Sequence, residues 1–418
     1  MFQPIPARTA PIWSVAWMAV PQQPRRFSGS GWDGTGFAHH TLRQVVRVGS
    51  GGGAVRVRLS NRYGTAPLPV QVAAIARTVP GAGIRPATLR PLTCGSSVSF
   101  TIPAGVDLVT DSVPLRISPF ESLTISMYLA GSAGAATQHT RAFATTFRAV
   151  GDHHADAVGT AFTETSQSWY YLSGIEVANV RPQPAAVVVF GDSIVDGFGS
   201  TANSDHRFPD ELARRLVAAG IPHAVLNAGI SGNRLVVDSA WLGESGARRF
   251  RRDALELPGV GTVIVLEGTN DIGLDGASPD VGEPPVRVTA DQLIAAHREL
   301  IRQARARGVR VLGATLPPFE GCPFYSDKAE AERRTVNHWL RTSGEYDAVI
   351  DFDAALADPG NPRRLAPAFD SGDHLHPNDL GYTAMADAVN LADLNRGTRD
   401  RYGAYSPRTS WPAADSAR

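Results

Sequence analysis

The chain has 418 residues, with 40 Lys and Arg balanced by 40 Asp and Glu. At about 150 residues per domain it is long enough for two or three, each with a full core. Zero formal net charge excludes a broad nucleic-acid-binding face, and 43% hydrophobic against 19% charged residues excludes wholesale disorder. All but one of the basic residues are arginine, Lys328 being the exception, which with the abundant Ala, Gly and Pro reads as compositional bias. Two cysteines, Cys94 and Cys322, exclude a disulfide scaffold and a Cys-rich zinc site, and both are expected as unpaired thiols. No apolar run approaches the roughly 18–20 residues of a membrane span. The run 10–20 is broken by Ser14, lacks a basic leader and is followed by Pro21 and Pro24, so it predicts a first strand and not a signal peptide. The expected location is therefore cytoplasmic, or secreted if a leader had been removed.

Residues 1–180 predict an all-β sandwich accessory domain. The runs 55–59 and 123–129 alternate apolar and polar residues at period two, so one face is buried and the other wet. Further strands are expected at 70–76 and 98–102, punctuated at Gly51-Gly52-Gly53, Tyr63-Gly64, Pro80-Gly81 and Pro103-Ala104-Gly105. Short strands at this spacing, without a long amphipathic helix, favour two packed sheets.

From about residue 185 the pattern changes. Residues 186–190 form a continuous apolar run, as in a strand covered on both faces. A helix is expected over 208–219, with strands at 224–227 and 262–267, a helix over 290–307 and a strand at 309–315. A helix over 328–342, a strand at 348–352 and a final helix over 378–389 follow. Strand alternating with helix predicts a doubly wound parallel sheet, α/β, over residues 181–395. Arg-Pro-Gln-Pro at 181–184 suits a stiff linker, and 396–418 reads as an irregular polar tail.

In an open parallel sheet the reactive crevice lies beyond the carboxyl ends of the strands. The residues that follow the predicted strands there form a chemical set. They are Gly191-Asp192-Ser193, then 227–233 ending in Ser231-Gly232-Asn233, then Gly268-Thr269-Asn270-Asp271; Asp373-His374-Leu375-His376-Pro377 precedes the last helix. A serine hydroxyl is a poor nucleophile until a base takes its proton. His376 can be that base, and Asp373, three residues earlier, can fix its tautomer and stabilise imidazolium. The N–H groups of Ser193 and Gly232 and the amide of Asn270 can supply three donors to a developing oxyanion. The set needs no metal and no cofactor. The Gly-x-Ser-x-Gly elbow of α/β-hydrolases is absent, as are a P-loop and a dinucleotide-binding glycine motif.

These four ordered blocks resemble the SGNH/GDSL hydrolases, over about residues 186–392. The resemblance implies a flavodoxin-like sheet and a serine esterase. Ser193, Gly232, Asn270 and His376 would be its block residues and Asp373 the triad acid. With its β-rich first half the chain is similar to two-domain actinobacterial members often labelled lysophospholipase-like. Gly-Asp-Ser-Ile replaces Gly-Asp-Ser-Leu, and Gly232-Asn233-Arg234 stands where simpler thioesterase-like members have Gly-Asp-Thr. The expected partner is a small-molecule ester: lipid, aryl or acetylated sugar. An acyltransferase using the same triad, with an alcohol or sugar as acceptor, is the alternative within catalysis. A carbohydrate-binding protein with a silent hydrolase domain is the alternative of another class.

Other candidates carry less. Asp152-His153-His154-Ala155-Asp156 reads as a solvated turn more readily than a metal site, and His39-His40 as surface. His374 lies too close to Asp373 along the chain to rival His376 as base. Asp192 is expected to anchor its loop. Arg234, Trp241 and Glu267 are possible pocket-lining residues, as is the turn 61–64, whose default reading is a surface hairpin.

Overall fold

The computed structural model describes residues 11–24, 32, 34–179, 185–221, 223–274 and 286–395. The linker expected at 181–184 and the tail 396–418 lie outside them.

The period-two runs become strands. In Ala54–Ser60 the side chains of Val55, Val57 and Leu59 are fully buried. Arg56 and Arg58 alternate with them and both reach the buried Glu176 on the adjacent strand, at 2.5 and 2.6 Å. This strand lies in an antiparallel sheet ordered Ile12–Met18, Leu172–Asn179, Ala54–Ser60, Asp107–Val109. A six-stranded antiparallel sheet faces it, ordered Glu164–Ser166, Thr146–Val150, His40–Arg47, Ser122–Leu129, Val72–Arg77, Arg90–Leu92. One apolar cluster, including Trp17, Leu42, Val57, Ile75, Ile125 and Ile175, fills the space between them. The strand expected at 70–76 is divided: Leu68–Val70 pairs with Phe100–Ile102, while Val72–Arg77 joins the larger sheet.

The second half is a five-stranded parallel sheet with spatial order Val225–Gly229, Ala186–Gly191, Val260–Leu266, Arg310–Ala314, Ala348–Ile350. In chain order this is 2-1-3-4-5, the flavodoxin-like winding, whose switch point lies where the order reverses at the first strand. Ala186–Gly191 is buried along its whole length, as a strand covered on both faces must be. The helices start where their caps dictate. Thr289 and Gln292 form a reciprocal capping box ahead of Ala290–Ala306, Ser326 caps Asp327–Thr342 and Asn378 caps Asp379–Ala388. The last strand is shorter than expected. It stops at Ile350 because the Asp351 carboxylate accepts from the Ala354 N–H at 3.1 Å and starts the helix Phe352–Leu356.

The halves share a strand. Ile12–Met18 carries a β-bulge between Val15 and Trp17, and its side chains divide accordingly. Ala16 and Trp17 enter the sandwich core, whereas Val15, Met18 and Val20 pack with Val187, Leu226 and Val263 of the parallel sheet. The strand lies over the edge strand Val225–Gly229, which is thereby covered. Gly49 sits close enough to Val225 that a Cβ would stand 3.6 Å from its backbone. Two outcomes follow. Met18→Ala should destabilise the whole protein by about 2–5 kcal/mol, as core truncations do. A fragment of residues 183–395, stripped of Val15, Met18 and Val20, should be poorly soluble or melt well below the intact chain; melting like the intact chain would mean the halves are independent.

Candidate active site

Gly191 ends the first parallel strand and Asp192 turns the chain. The Asp192 carboxylate accepts from the Ile194 N–H at 3.0 Å and caps the one-turn helix Ser193–Asp196. This holds Ser193, almost fully buried, at the strand end. The Ser193 hydroxyl is 2.8 Å from His376 Nε2, and His376 Nδ1 is 2.5 Å from Asp373 Oδ2. The other Asp373 oxygen accepts the N–H groups of Leu375 (3.0 Å) and His376 (2.9 Å), so the carboxylate and the ring are bound to the same turn. Burial alone would raise the Asp373 pKa. The bonds from the His376 ring and backbone outweigh it and hold the carboxyl well below the usual range. An ionised Asp373 can only accept. Nδ1 of His376 therefore carries the proton, and Nε2 is left free to accept one from Ser193.

The second and third loops complete the site. Gly232 adopts a φ of +81°, which favours glycine, and a Cβ there would also push the end of the Leu242 side chain aside. At the preceding bend a Cβ on Gly229 would come within 2.3 Å of the Asp196 amide nitrogen, so the first and second loops touch backbone to backbone. Neither the Ser193 nor the Gly232 N–H has an acceptor among the described residues. Asn270 sits in the helical turn Thr269–Gly273, its amide donating to the Asn233 carbonyl at 2.9 Å and lying 3.3 Å from Asp192 Oδ2. Its amide is thus directed by the second loop, and the long contact to Asp192 is the one a stronger acceptor could replace.

Behind these loops lies a buried polar layer that the sequence reading did not anticipate. Glu267, a pocket-lining candidate from its place at a strand end, is fully buried 3.6 Å from Arg249 and does not line the crevice. Burial and the Asp192 charge push its pKa well up, against the opposing pull of Arg249. Burial likewise raises Asp192 to about 6 and Asp271 to about 7, although Asp271 accepts from the Leu235 and Val236 N–H groups. Arg234 is also buried, while Trp241 is half-buried in the segment that covers Gly232. The turn 61–64 does approach the site: the Tyr63 hydroxyl donates to Glu244 at 3.3 Å, beside Leu242.

The remaining candidates lie elsewhere. His374 is half-exposed and pairs with Asp370 at 2.6 Å, not with Asp373. His153 and His154 each bond a neighbouring carboxylate on the surface, and the backbone of their loop is held from below by the buried Arg43. His39 is exposed against the Tyr128 hydroxyl. Cys94 and Cys322 are unpaired, Cys322 buried and Cys94 half-buried. Among the described residues no helix is long and apolar enough to cross a membrane.

Residues 189–384 match the model of the GDSL-like lipase/acylhydrolase family. No curated protein matches the chain. Solved structures similar to about half of the chain include an acetyl xylan esterase (19% identity, TM-score 0.37, 49% of this chain and 96% of that one). Another is the aryl esterase of M. smegmatis (17% identity, TM-score 0.38, 49% and 95%). A third is a GDSL-like lipase from Bacteroides thetaiotaomicron VPI-5482 (17% identity, TM-score 0.37, 50% and 88%). The second half of the chain carries a GDSL-like lipase/acylhydrolase domain, and this half follows a β-sandwich.

The buried carboxyls set the sign of the pH dependence of stability. Asp192 and Asp271 hold protons in the folded chain at a pH where the unfolded chain, with carboxyl pKa values near 4, has released them. Their contribution to stability therefore falls as pH rises from about 4 to about 7, outweighing the smaller opposite effect of buried His297. Asp373 acts oppositely, and its contribution is lost only as pH drops below about 4. The melting temperature should rise on going from pH 8 to pH 5, and Asp271→Asn should flatten that slope. A melting temperature that climbs towards pH 8 would contradict the assignment.

Proposed function

We propose that the protein is a serine esterase working through an acyl-enzyme. Ser193 attacks the ester carbonyl as His376 takes its proton. His376 then returns the proton to the departing alcohol, and water releases the acid by the same route. The observation that carries the reading is the unbroken chain from Ser193 through His376 to Asp373, at 2.8 and 2.5 Å, lying at the switch point of the sheet. The Ser193 and Gly232 N–H groups and the Asn270 amide are the donors to the oxyanion. Beside Asn270 runs a mainly apolar groove lined by Leu274, Phe319, Cys322, Phe324 and Leu375, which suits the acyl part of a small-molecule ester. Such a hydrogen-bonded set speaks against a silent hydrolase domain that only binds carbohydrate.

A fluorophosphonate should label Ser193 covalently, and Ser193→Ala should lose both labelling and turnover of a short aryl ester, by about 10⁴–10⁶ in rate. Near-normal turnover in Ser193→Ala would end the reading. Asn270→Ala should lower kcat by about 10²–10³ with little change in KM; a loss confined to KM would make Asn270 a binding residue. His376→Ala should be inactive while His374→Ala, whose ring faces Asp370, keeps near-normal kcat. Product analysis with an added alcohol or sugar separates hydrolysis from acyl transfer, and a series of acyl lengths and acetylated sugars defines the substrate.

A further inference from the structure

Two contacts run from the sandwich to the groups that would do the chemistry. Both start from one short segment, residues 138–145. The first is His139, in the two-residue strand Gln138–His139 and only 5% exposed. Its Nδ1 is 3.0 Å from the Val20 carbonyl and its Nε2 is 2.9 Å from Asp196 Oδ1. A carbonyl can only accept, so Nδ1 donates to Val20 and Nε2 faces the Asp196 carboxylate. Asp196 closes the helical turn that Ser193 opens. Its other oxygen accepts both the N–H (2.9 Å) and the hydroxyl (2.6 Å) of Ser231, the residue before Gly232. One imidazole of the sandwich thus fixes one carboxylate, and that carboxylate fixes both the serine turn and the glycine loop.

The second contact reaches the histidine. The Phe198 ring lies against the His376 ring at 4.2 Å between centroids. Phe143 meets Phe198 edge-on at 6.0 Å, and the Arg141 guanidinium sits 5.0 Å from its centre. The segment is stitched to the loop after Phe198 by the Asn203 N–H on the Phe143 carbonyl (2.8 Å) and by Arg207 on the Ala142 carbonyl (3.0 Å).

We propose that residues 139–143 of the β-sandwich are positioning residues of the catalytic centre: His139 sets Ser193 and Gly232 through Asp196 and Ser231, and Arg141 and Phe143 set His376 through Phe198. The proposal rests on the reading of Ser193 and His376 as nucleophile and base. It gives the sandwich a role in the reaction itself, because each reacting group takes part of its support from it. Misplacement of a reacting group by about 1 Å can cost on the order of 10²-fold in rate without touching substrate affinity.

The test uses the full chain and a short aryl ester, at a temperature where each variant is folded. His139→Ala and Asp196→Ala should each lower kcat by about 10- to 100-fold, with KM within about threefold and fluorophosphonate labelling slowed in parallel. Asp196→Asn should recover at least about tenfold of what Asp196→Ala loses. An asparagine can still accept from Ser231, and its amide can donate to a neutral His139 Nε2, so hydrogen-bond geometry survives without charge. An ion pair that merely glues the halves would give the reverse: a lower melting temperature in the asparagine variant and an unchanged kcat in all three. Phe143→Leu tests the second contact and decides the matter if the alanine variants do not fold; it should lower kcat severalfold with KM unchanged. Retention of kcat within about twofold in the folded alanine variants, or in Phe143→Leu when those do not fold, overturns the proposal, provided Ser193→Ala is inactive. Turnover by Ser193→Ala would instead overturn the esterase reading on which it rests.

Discussion

A single buried guanidinium registers the reactive end of the parallel sheet. Arg249 is fully buried, and three of its N–H groups are spent on two strand ends and the loop that follows the second. Nη2 donates to the Gly191 carbonyl and Nη1 to the Ala228 carbonyl, both at 2.8 Å, and Nε to Asn233 Oδ1 at 2.7 Å. Gly191 precedes the Asp192-Ser193 turn, Ala228 is the penultimate residue of the neighbouring strand, and the Asn233 carbonyl receives the Asn270 amide. A planar fork suits this task, since its donors diverge at fixed angles; a lysine ammonium could not make the same three contacts. The cation also lies 4.0 Å over the Phe190 ring and 3.6 Å from Glu267. Stripping water from a cation is expensive, and removing one partner of such a buried set typically costs about 3–5 kcal/mol.

In the layer around Arg249 several carboxyls sit away from water. Asp192 and Asp271 spend their oxygens on loop N–H groups that would otherwise be unpaired, so they act as loop struts. Burial raises both, whereas Asp373, on a partly open turn and bonded by the His376 ring and two N–H groups, is driven the other way. Carboxyls with opposite surroundings are thus bonded differently: two hold loop N–H groups, and the third bonds the His376 ring.

The β-sandwich bears on this end of the sheet from two sides. Its Tyr63 meets Glu244 beside the segment that covers Gly232, and its residues 139–145 run against the turn after Ser193. Beneath, the bulged strand Ile12–Met18 serves both cores at once and covers the sheet edge. Two walls and a shared strand constrain the halves far more than a tether would.

Much of this was legible in the chain itself, for a definite reason. Period two in 55–59 and 123–129, the apolar run 186–190 and the helical runs 290–307 and 378–389 are local patterns, and local patterns report strands, buried strands and helices. Ser193, Gly232, Asn270 and His376 could be singled out because each follows a strand or precedes a helix, where a parallel sheet gathers its loops. What the chain alone did not disclose depends on pairs far apart in it. His139 meets Asp196 across 57 positions, and Arg249 reaches Gly191 across 58. A histidine and a threonine-flanked strand of two residues carry no periodic signal, and Glu267 looks like any polar residue at a strand end until the packing around it is known. The short-range chemistry of the chain determined which residues could react. Only the tertiary structure decided which buried groups hold them in place, because burial and long-range pairing are properties of packing that no local pattern records.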